Sequence, residues 1–168
     1  MTDPFEVLLR RDVPVAPRQE FAADLRARLF GPAAPVGLHA VTPYLCVDGA
    51  AAAIEWYGTH FDARVVMEPV VMDDGRVGHV ELAIGDSVLL MADEFPEIGV
   101  RSPTSIGGTP VSLVVSVADA DATFAAAVAG GATAERPVSA QPYGGRAGWL
   151  IDPFGHRWNV STTDRYRA

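Results

Sequence analysis

The chain repeats itself. Slid against itself by 70 positions without a gap, it aligns Val41 with Val111, Val47 with Val117, Ala50 with Ala120 and Ile54 with Phe124. The same offset matches Gly75, Arg76, Gly78 and Gly85 to Gly145, Arg146, Gly148 and Gly155. Apolar residues agree as well: Val80, Ile84, Val88 and Leu90 fall on Leu150, Phe154, Trp158 and Val160. One register held by both turn formers and apolar positions marks a duplicated supersecondary unit. A chain of 168 residues suits one domain, or two small halves that share a core.

Each copy has the same internal order. A strand (Leu38–Val47; Val111–Val117) leads to an acid, Asp48 or Asp119, placed to cap a helix N-terminus. The helix that follows, about Ala50–Phe61 or Ala120–Ala129, carries Ile54, Tyr57 and Phe61, or Phe124 and Val128, at helical spacing. Three strands complete the first copy, about Ala63–Met72, Val77–Ile84 and Ser87–Met91. Their counterparts are Thr133–Ala140, Arg146–Ile151 and Arg157–Thr162. Asp73-Asp74-Gly75, Tyr143-Gly144-Gly145, Gly85-Asp86 and Gly155-His156 supply the turns. The predicted class is α+β, a duplicated βαβββ module. Module one covers 38–92, a Pro- and Gly-containing linker 93–109, and module two 110–168. Residues 1–37 form an extension with five prolines and one predicted helix, about Arg18–Phe30, whose Phe21, Leu25 and Leu29 make a single apolar stripe.

Composition excludes several classes. The net charge is −8, and residues 38–168 hold all of it, with 8 Arg against 16 acids. With no basic stripe to offset this charge, a nucleic-acid partner is not expected. All 13 basic residues are Arg, so lysine Schiff-base and P-loop chemistry are excluded. The single cysteine, Cys46, cannot form an internal disulfide and reads as a buried, inert thiol. No apolar run approaches the roughly 20 residues of a membrane span, and the first residues lack a signal-peptide pattern. The expected location is cytoplasmic, with no membrane partner.

Strand alternation sorts the candidate site residues. Val80, Leu82 and Ile84 are expected under the first helix, with His79, Glu81 and Ala83 on the opposite face. That second face also receives Thr42, Tyr44 and Cys46 from the first strand and Ser112, Val114 and Ser116 from its repeat. Trp149 and Ile151, and then Arg157, Asn159 and Ser161, join it in module two. If the two sheets curve together, these faces line one cleft. Tyr44 and Trp149 would be its aromatic walls, bordered by Tyr143 and Phe95. Glu81 is a mid-strand carboxylate, which must be solvated, paired with an arginine such as Arg146 or Arg157, or tuned as a general base with His79 beside it.

The duplicated layout, with PYLCV at 43–47, GHVELAIGDSVLLMADEFPE at 78–97, GGTPVSLVVSV at 107–117 and DPFGHRWNV at 152–160, resembles the vicinal oxygen chelate superfamily. Within it, the chain is most similar to the short glyoxalase/bleomycin resistance/dioxygenase branch. The resemblance runs from Leu38 to Thr163 and implies metal-ligand positions at Thr42, Glu81, Ser112 and Asn159. Of these only Glu81 is a good divalent ligand. No cofactor is therefore expected, and a divalent ion held by Glu81, His79 and His39 is the alternative.

Two functions follow from this reading. In the first, the protein binds a small organic ligand, aromatic or cationic, as drug-sequestering relatives do, through Tyr44, Thr42, Ser112, Trp149, Tyr143, Arg146 and Asn159. In the second, it is a lyase, isomerase or dioxygenase with Glu81 and His79 as catalytic groups. In both, the resemblance implies a homodimer in which modules from two chains complete each cleft.

Overall fold

The computed structural model describes residues 38–142 and 144–162; the helix expected over Arg18–Phe30, and Tyr143, lie outside the described residues. Module one comprises β1 (Tyr44–Val47), α1 (Ala50–Phe61), β2 (Arg64–Val71), β3 (Val77–Ile84) and β4 (Ser87–Asp93). A connection containing a short 3₁₀ turn (Pro96–Ile98) and a one-turn α2 (Pro103–Ile106) leads to module two. This has β5 (Ser112–Ser116), α3 (Ala120–Ala129), β6 (Thr133–Ala140), β7 (Arg146–Ile151) and β8 (Arg157–Ser161). The strands form two four-stranded mixed sheets of order β1-β4-β3-β2 and β5-β8-β7-β6. In each, the first strand pairs in parallel with the last, because the helix between them carries the chain back across the sheet.

The first strand is shorter than expected. Pro43 has no N–H to give a ladder, so β1 opens at Tyr44, although the Pro43 carbonyl still accepts from the Leu90 amide at 2.9 Å. The segment before it turns locally, with the Thr42 hydroxyl donating to the His39 carbonyl at 3.1 Å.

One apolar core serves both modules. Val47, Tyr57, Val80, Leu82, Met91, Leu150 and Val160 are fully buried within it. Helix α1 joins the modules: Phe61 and Tyr57 pack on Trp158 of β8, with ring centroids 4.9 and 5.7 Å apart. The Trp56 indole donates to the Gly130 carbonyl beyond α3 at 2.8 Å. A Cβ on Gly130 would lie 2.2 Å from His60 Nε2, so any other residue there would displace that ring. Within this core Asp152 accepts four hydrogen bonds, from the Tyr57 hydroxyl (2.6 Å), the Trp158 indole (2.7 Å) and the Phe154 and His156 amides (both 2.9 Å). The neighbouring carboxylate and burial push the Tyr57 phenol well above its ordinary pKa, burial being the larger cause.

Two expectations need correction. Asp119 caps α3, accepting from the Ala122 amide at 3.0 Å, but Asp48 does not cap α1. The N-cap of α1 is Gly49, with φ of 94°, and the carboxylate that receives the Gly49 and Ala50 amides (3.0 and 2.7 Å) comes from Asp93 at the end of β4. Its other oxygen accepts from the Val77 amide at 2.6 Å.

The ungapped repeat also fails in the last strands. Glu81 pairs with Met67 and Leu90, as Trp149 pairs with Arg136 and Asn159. Trp149 is thus the counterpart of Glu81, and Asn159 that of Leu90. Module one has an extra bulge between Val70 and Val71, opposite Gly78. Its second hairpin turns in two residues, between Ile84 and Ser87, whereas module two needs three between Asp152 and His156. A one-residue slip exchanges the faces of a strand. Leu89 and Met91, not Val88 and Leu90, therefore share the core with Trp158 and Val160.

Candidate functional site

The bulge at Gly78 shapes the open face of the first sheet. It leaves Val77 on the core side and sets His79, Glu81 and Ala83 on the other, since Val80 and Leu82 are buried under α1. A Cβ on Gly78 would lie 2.8 Å from Met72 Sδ, so the bulge admits only glycine without displacing that side chain. From β1, Tyr44 crosses this face, its ring 5.6 Å from the His79 imidazole and edge-on to it. The Tyr44 hydroxyl is 2.9 Å from His79 Nδ1 and 3.3 Å from the Gly78 carbonyl. His79 Nε2 is 3.5 Å from Glu81 Oε1. In the Nε2–H tautomer, Nε2 donates to Glu81 and Nδ1 accepts the single Tyr44 hydroxyl proton in place of the Gly78 carbonyl. Burial, with a smaller contribution from Cys46, raises the Tyr44 phenol above its ordinary pKa, so it stays a hydrogen-bond donor at neutral pH.

A cavity of about 550 Å³ opens beside this pair. Val70, Met72, Ala92, Phe95, Ile98 and Val100 give it apolar walls, and Tyr44 and His79 are its polar edge. Cys46 lines it too, its thiol donating to the Asp93 carbonyl at 3.8 Å. Burial, then the nearby Glu94 and Asp93 carboxylates, push this thiol up to about 11, which suits the inert role expected of it. Of the apolar residues in the connecting segment, the sequence points only to Phe95 as a border of the site. The segment turns back because Phe95 and Val100 bridge each other across Pro96–Gly99, which brings Ile98 and Val100 in as well.

The remaining candidates lie elsewhere. Trp149 stands on the corresponding face of the second sheet, with the Arg157 guanidinium 4.2 Å from its ring centroid and that of Arg136 at 5.3 Å. Arg157 also bonds Glu135 and donates to the Ser112 hydroxyl at 2.9 Å. Asn159, 7% exposed, donates to the Gly148 carbonyl at 3.4 Å. Arg146 does not share this face: it reaches Asp121 on α3 at 2.6 and 2.8 Å. His39 lies by the β3–β4 turn, with Nε2 3.4 Å from the Asp86 carbonyl. There it borders a second cavity, of about 660 Å³, between that turn and β5.

A single chain does not close the cleft expected between the two faces. The helices of both modules pack on one shared core, so the opposite faces stay open, and Tyr44 and Val114 are 54% and 60% exposed. The Tyr44 pocket is lined by module one and the connecting segment, without module two. His79 and Glu81 adjoin, His39 is apart from them, and no group of three or more His, Cys, Asp or Glu with metal-holding geometry occurs among the described residues.

Two four-stranded sheets built by duplication, with an open face on each, define the fold of the Glyoxalase/Bleomycin resistance protein/Dioxygenase superfamily. Its sequence model matches residues 37–160, and the chain belongs to it. The chain is 41% identical over 124 residues to an uncharacterized protein of Mycobacterium bovis, an alignment covering 72% of this chain and 81% of the relative. Among solved structures it is similar to TioX from Micromonospora sp. ML1, with a TM-score of 0.57 at 22% identity over 74% of this chain and 96% of that one. It is also similar to the fosfomycin resistance protein FosX from Mesorhizobium loti, with a TM-score of 0.53 at 18% identity over 77% of this chain and 95% of that one. These structural likenesses are of fold. No described helix is long and apolar enough to cross a membrane.

Proposed function

We propose that the protein binds a small organic molecule in the cavity on the open face of its first sheet, without a metal ion, by sequestration rather than chemistry. One observation carries this reading. An apolar cavity of about 550 Å³ is bordered by a single polar cluster, Tyr44 and His79 with Glu81 behind them. Such a combination takes up the body of a flat ligand by burial and orients one polar group. The Glu81 carboxylate and the net charge of −8 favour a ligand whose polar group is an amine. A role in drug resistance is the form of this reading suggested by the fold shared with a fosfomycin resistance protein. The working unit is a cytoplasmic homodimer, in which the open second-sheet face of one chain, with Trp149, Ser112 and Asn159, covers the Tyr44 pocket of the other.

The test is a thermal-shift screen with aromatic amines and neutral heteroaromatic compounds, paired with elemental metal analysis. A compound that raises the Tm of the wild type should do so far less in Tyr44→Ala and Trp149→Ala. An undiminished response in both variants would overturn the site. Near-stoichiometric divalent metal that disappears in Glu81→Gln would overturn the metal-free reading.

The Tyr44–His79–Glu81 chain favours a second reading, an acid–base lyase or isomerase. Glu81 would accept from His79 Nε2–H and orient the ring; a bound substrate would draw the Tyr44 proton away from His79 Nδ1, leaving Nδ1 as the base and the phenol as donor to a developing oxyanion. Turnover of a screened compound, abolished by Glu81→Gln and by His79→Ala, would select this reading over sequestration.

A further inference from the structure

The pocket has one wall that is not part of the sheet. After β4 the chain forms a strap, closed by paired hydrogen bonds between Phe95 and Val100 (2.9 and 3.1 Å) around the 3₁₀ turn at Pro96–Ile98. Phe95, Ile98 and Val100 face the cavity, and Ile98 is 75% exposed, so burial of the strap itself holds it weakly. The Ser102 amide donates to the Glu94 carboxylate and ties the two ends of the strap to each other, and what fastens the strap to the β2–β3 hairpin is a single guanidinium. From the end of the β2–β3 loop, Arg76 Nη1 donates to the Glu94 carbonyl at 2.8 Å and Nη2 to Glu97 Oε1 at 2.7 Å. The Arg76 Cζ lies 4.1 Å from the Phe95 ring centroid. Asp74 accepts from its Nε at 2.7 Å and so holds the same guanidinium on the hairpin. One side chain thus engages the strap at a carbonyl, a ring and a carboxylate within four residues. The planar fork of arginine can make these contacts together, and an ammonium cannot. Each ion pair alone is half-exposed and weak, so the clamp depends on their concerted geometry.

We propose that Arg76 is a positioning residue that clamps the Phe95–Val100 strap over the pocket and thereby holds that wall in place for a ligand. This rests on the binding pocket assigned above. The clamp is also ionic, so ligand affinity falls with salt even for an uncharged ligand.

Two readouts on the full chain test this. Amide hydrogen exchange at Phe95 and Val100 reports the strap directly, with Val80 and Leu82 as core references. Fluorescence titration with N-phenyl-1-naphthylamine, a neutral apolar probe, reports the pocket. In Arg76→Met, strap exchange is expected to accelerate at least tenfold with the core amides unchanged, and probe affinity to fall at least fivefold. Arg76→Lys should restore little of either, because it keeps the charge and loses the fork. Asp74→Asn, which leaves Arg76 in place, should show the same changes in smaller measure. Sodium chloride at 1 M should weaken probe binding in the wild type and leave Arg76→Met unmoved. Strap exchange that stays at the wild-type rate in Arg76→Met overturns the clamp. Faster exchange with unchanged probe affinity overturns its role in the pocket. Failure of the wild type to bind the probe, or undiminished binding in Ile98→Asp, counts instead against the pocket reading, while strap exchange still decides the clamp.

Discussion

A carboxylate that receives two backbone amides, a phenol and an indole in an apolar core has no free lone pair to leave unpaired. Asp152 is such a group, and its cost of burial is offset only because every donor is in place. Asp152→Asn turns one acceptor into a donor facing donors, and is expected to lower stability by roughly 3 kcal/mol in a urea titration. Three of its four donors lie within six residues of it, around the turn that Gly155-His156 marks in the sequence. The fourth, Tyr57, is 95 residues away, and only packing brings it there. Cys46 shows the converse case, because a lone thiol in an apolar strand is legible as inert without a structure. With its pKa pushed up to about 11, it should react slowly with a disulfide reagent at pH 8. Its rate should rise as pH climbs toward 11 and the thiolate forms.

Both long helices fall where apolar periodicity places them, yet their N-termini are completed differently. Asp119 is a local cap, three residues before the amide it receives. Asp93 is a remote one, arriving from β4 at a separation of 43 residues from Ala50, and it ties α1, β3 and β4 together through one carboxylate. Asp93→Ala is therefore expected to cost about 2 kcal/mol, judged by what caps are worth. Asp48→Ala should stay within about 0.5 kcal/mol of the wild type in the same denaturation measurement. Local spacing reveals the first kind of cap and is blind to the second. The same blindness explains the strand register: one offset cannot hold once Gly78 bulges into β3 and an extra residue enters the loop after Asp152, so Glu81 matches Trp149 rather than Ile151, and Leu90 matches Asn159.

At the scale of the molecule, duplication yields two similar frames with dissimilar open faces. The first carries Tyr44, His79 and Glu81 beside an apolar cavity; the second carries Trp149 under two guanidinium groups. If one face covers the other across a dimer, sedimentation should give twice the chain mass. Val114→Asp should then yield a folded monomer with weakened ligand response. Apolar periodicity, turn chemistry and the repeat were enough to specify two βαβββ modules, that Val80 and Leu82 of β3 lie under the first helix, and that Tyr44, His79 and Glu81 share a face, because these follow from periods of 3.6 and 2 along one chain. That the open faces do not meet within a chain, that the connecting segment walls the pocket, that Arg76 holds it there and that Arg146 turns to the helix side were settled by packing. They depend on bulges, loop lengths and contacts between residues distant in the chain, to which no local period responds.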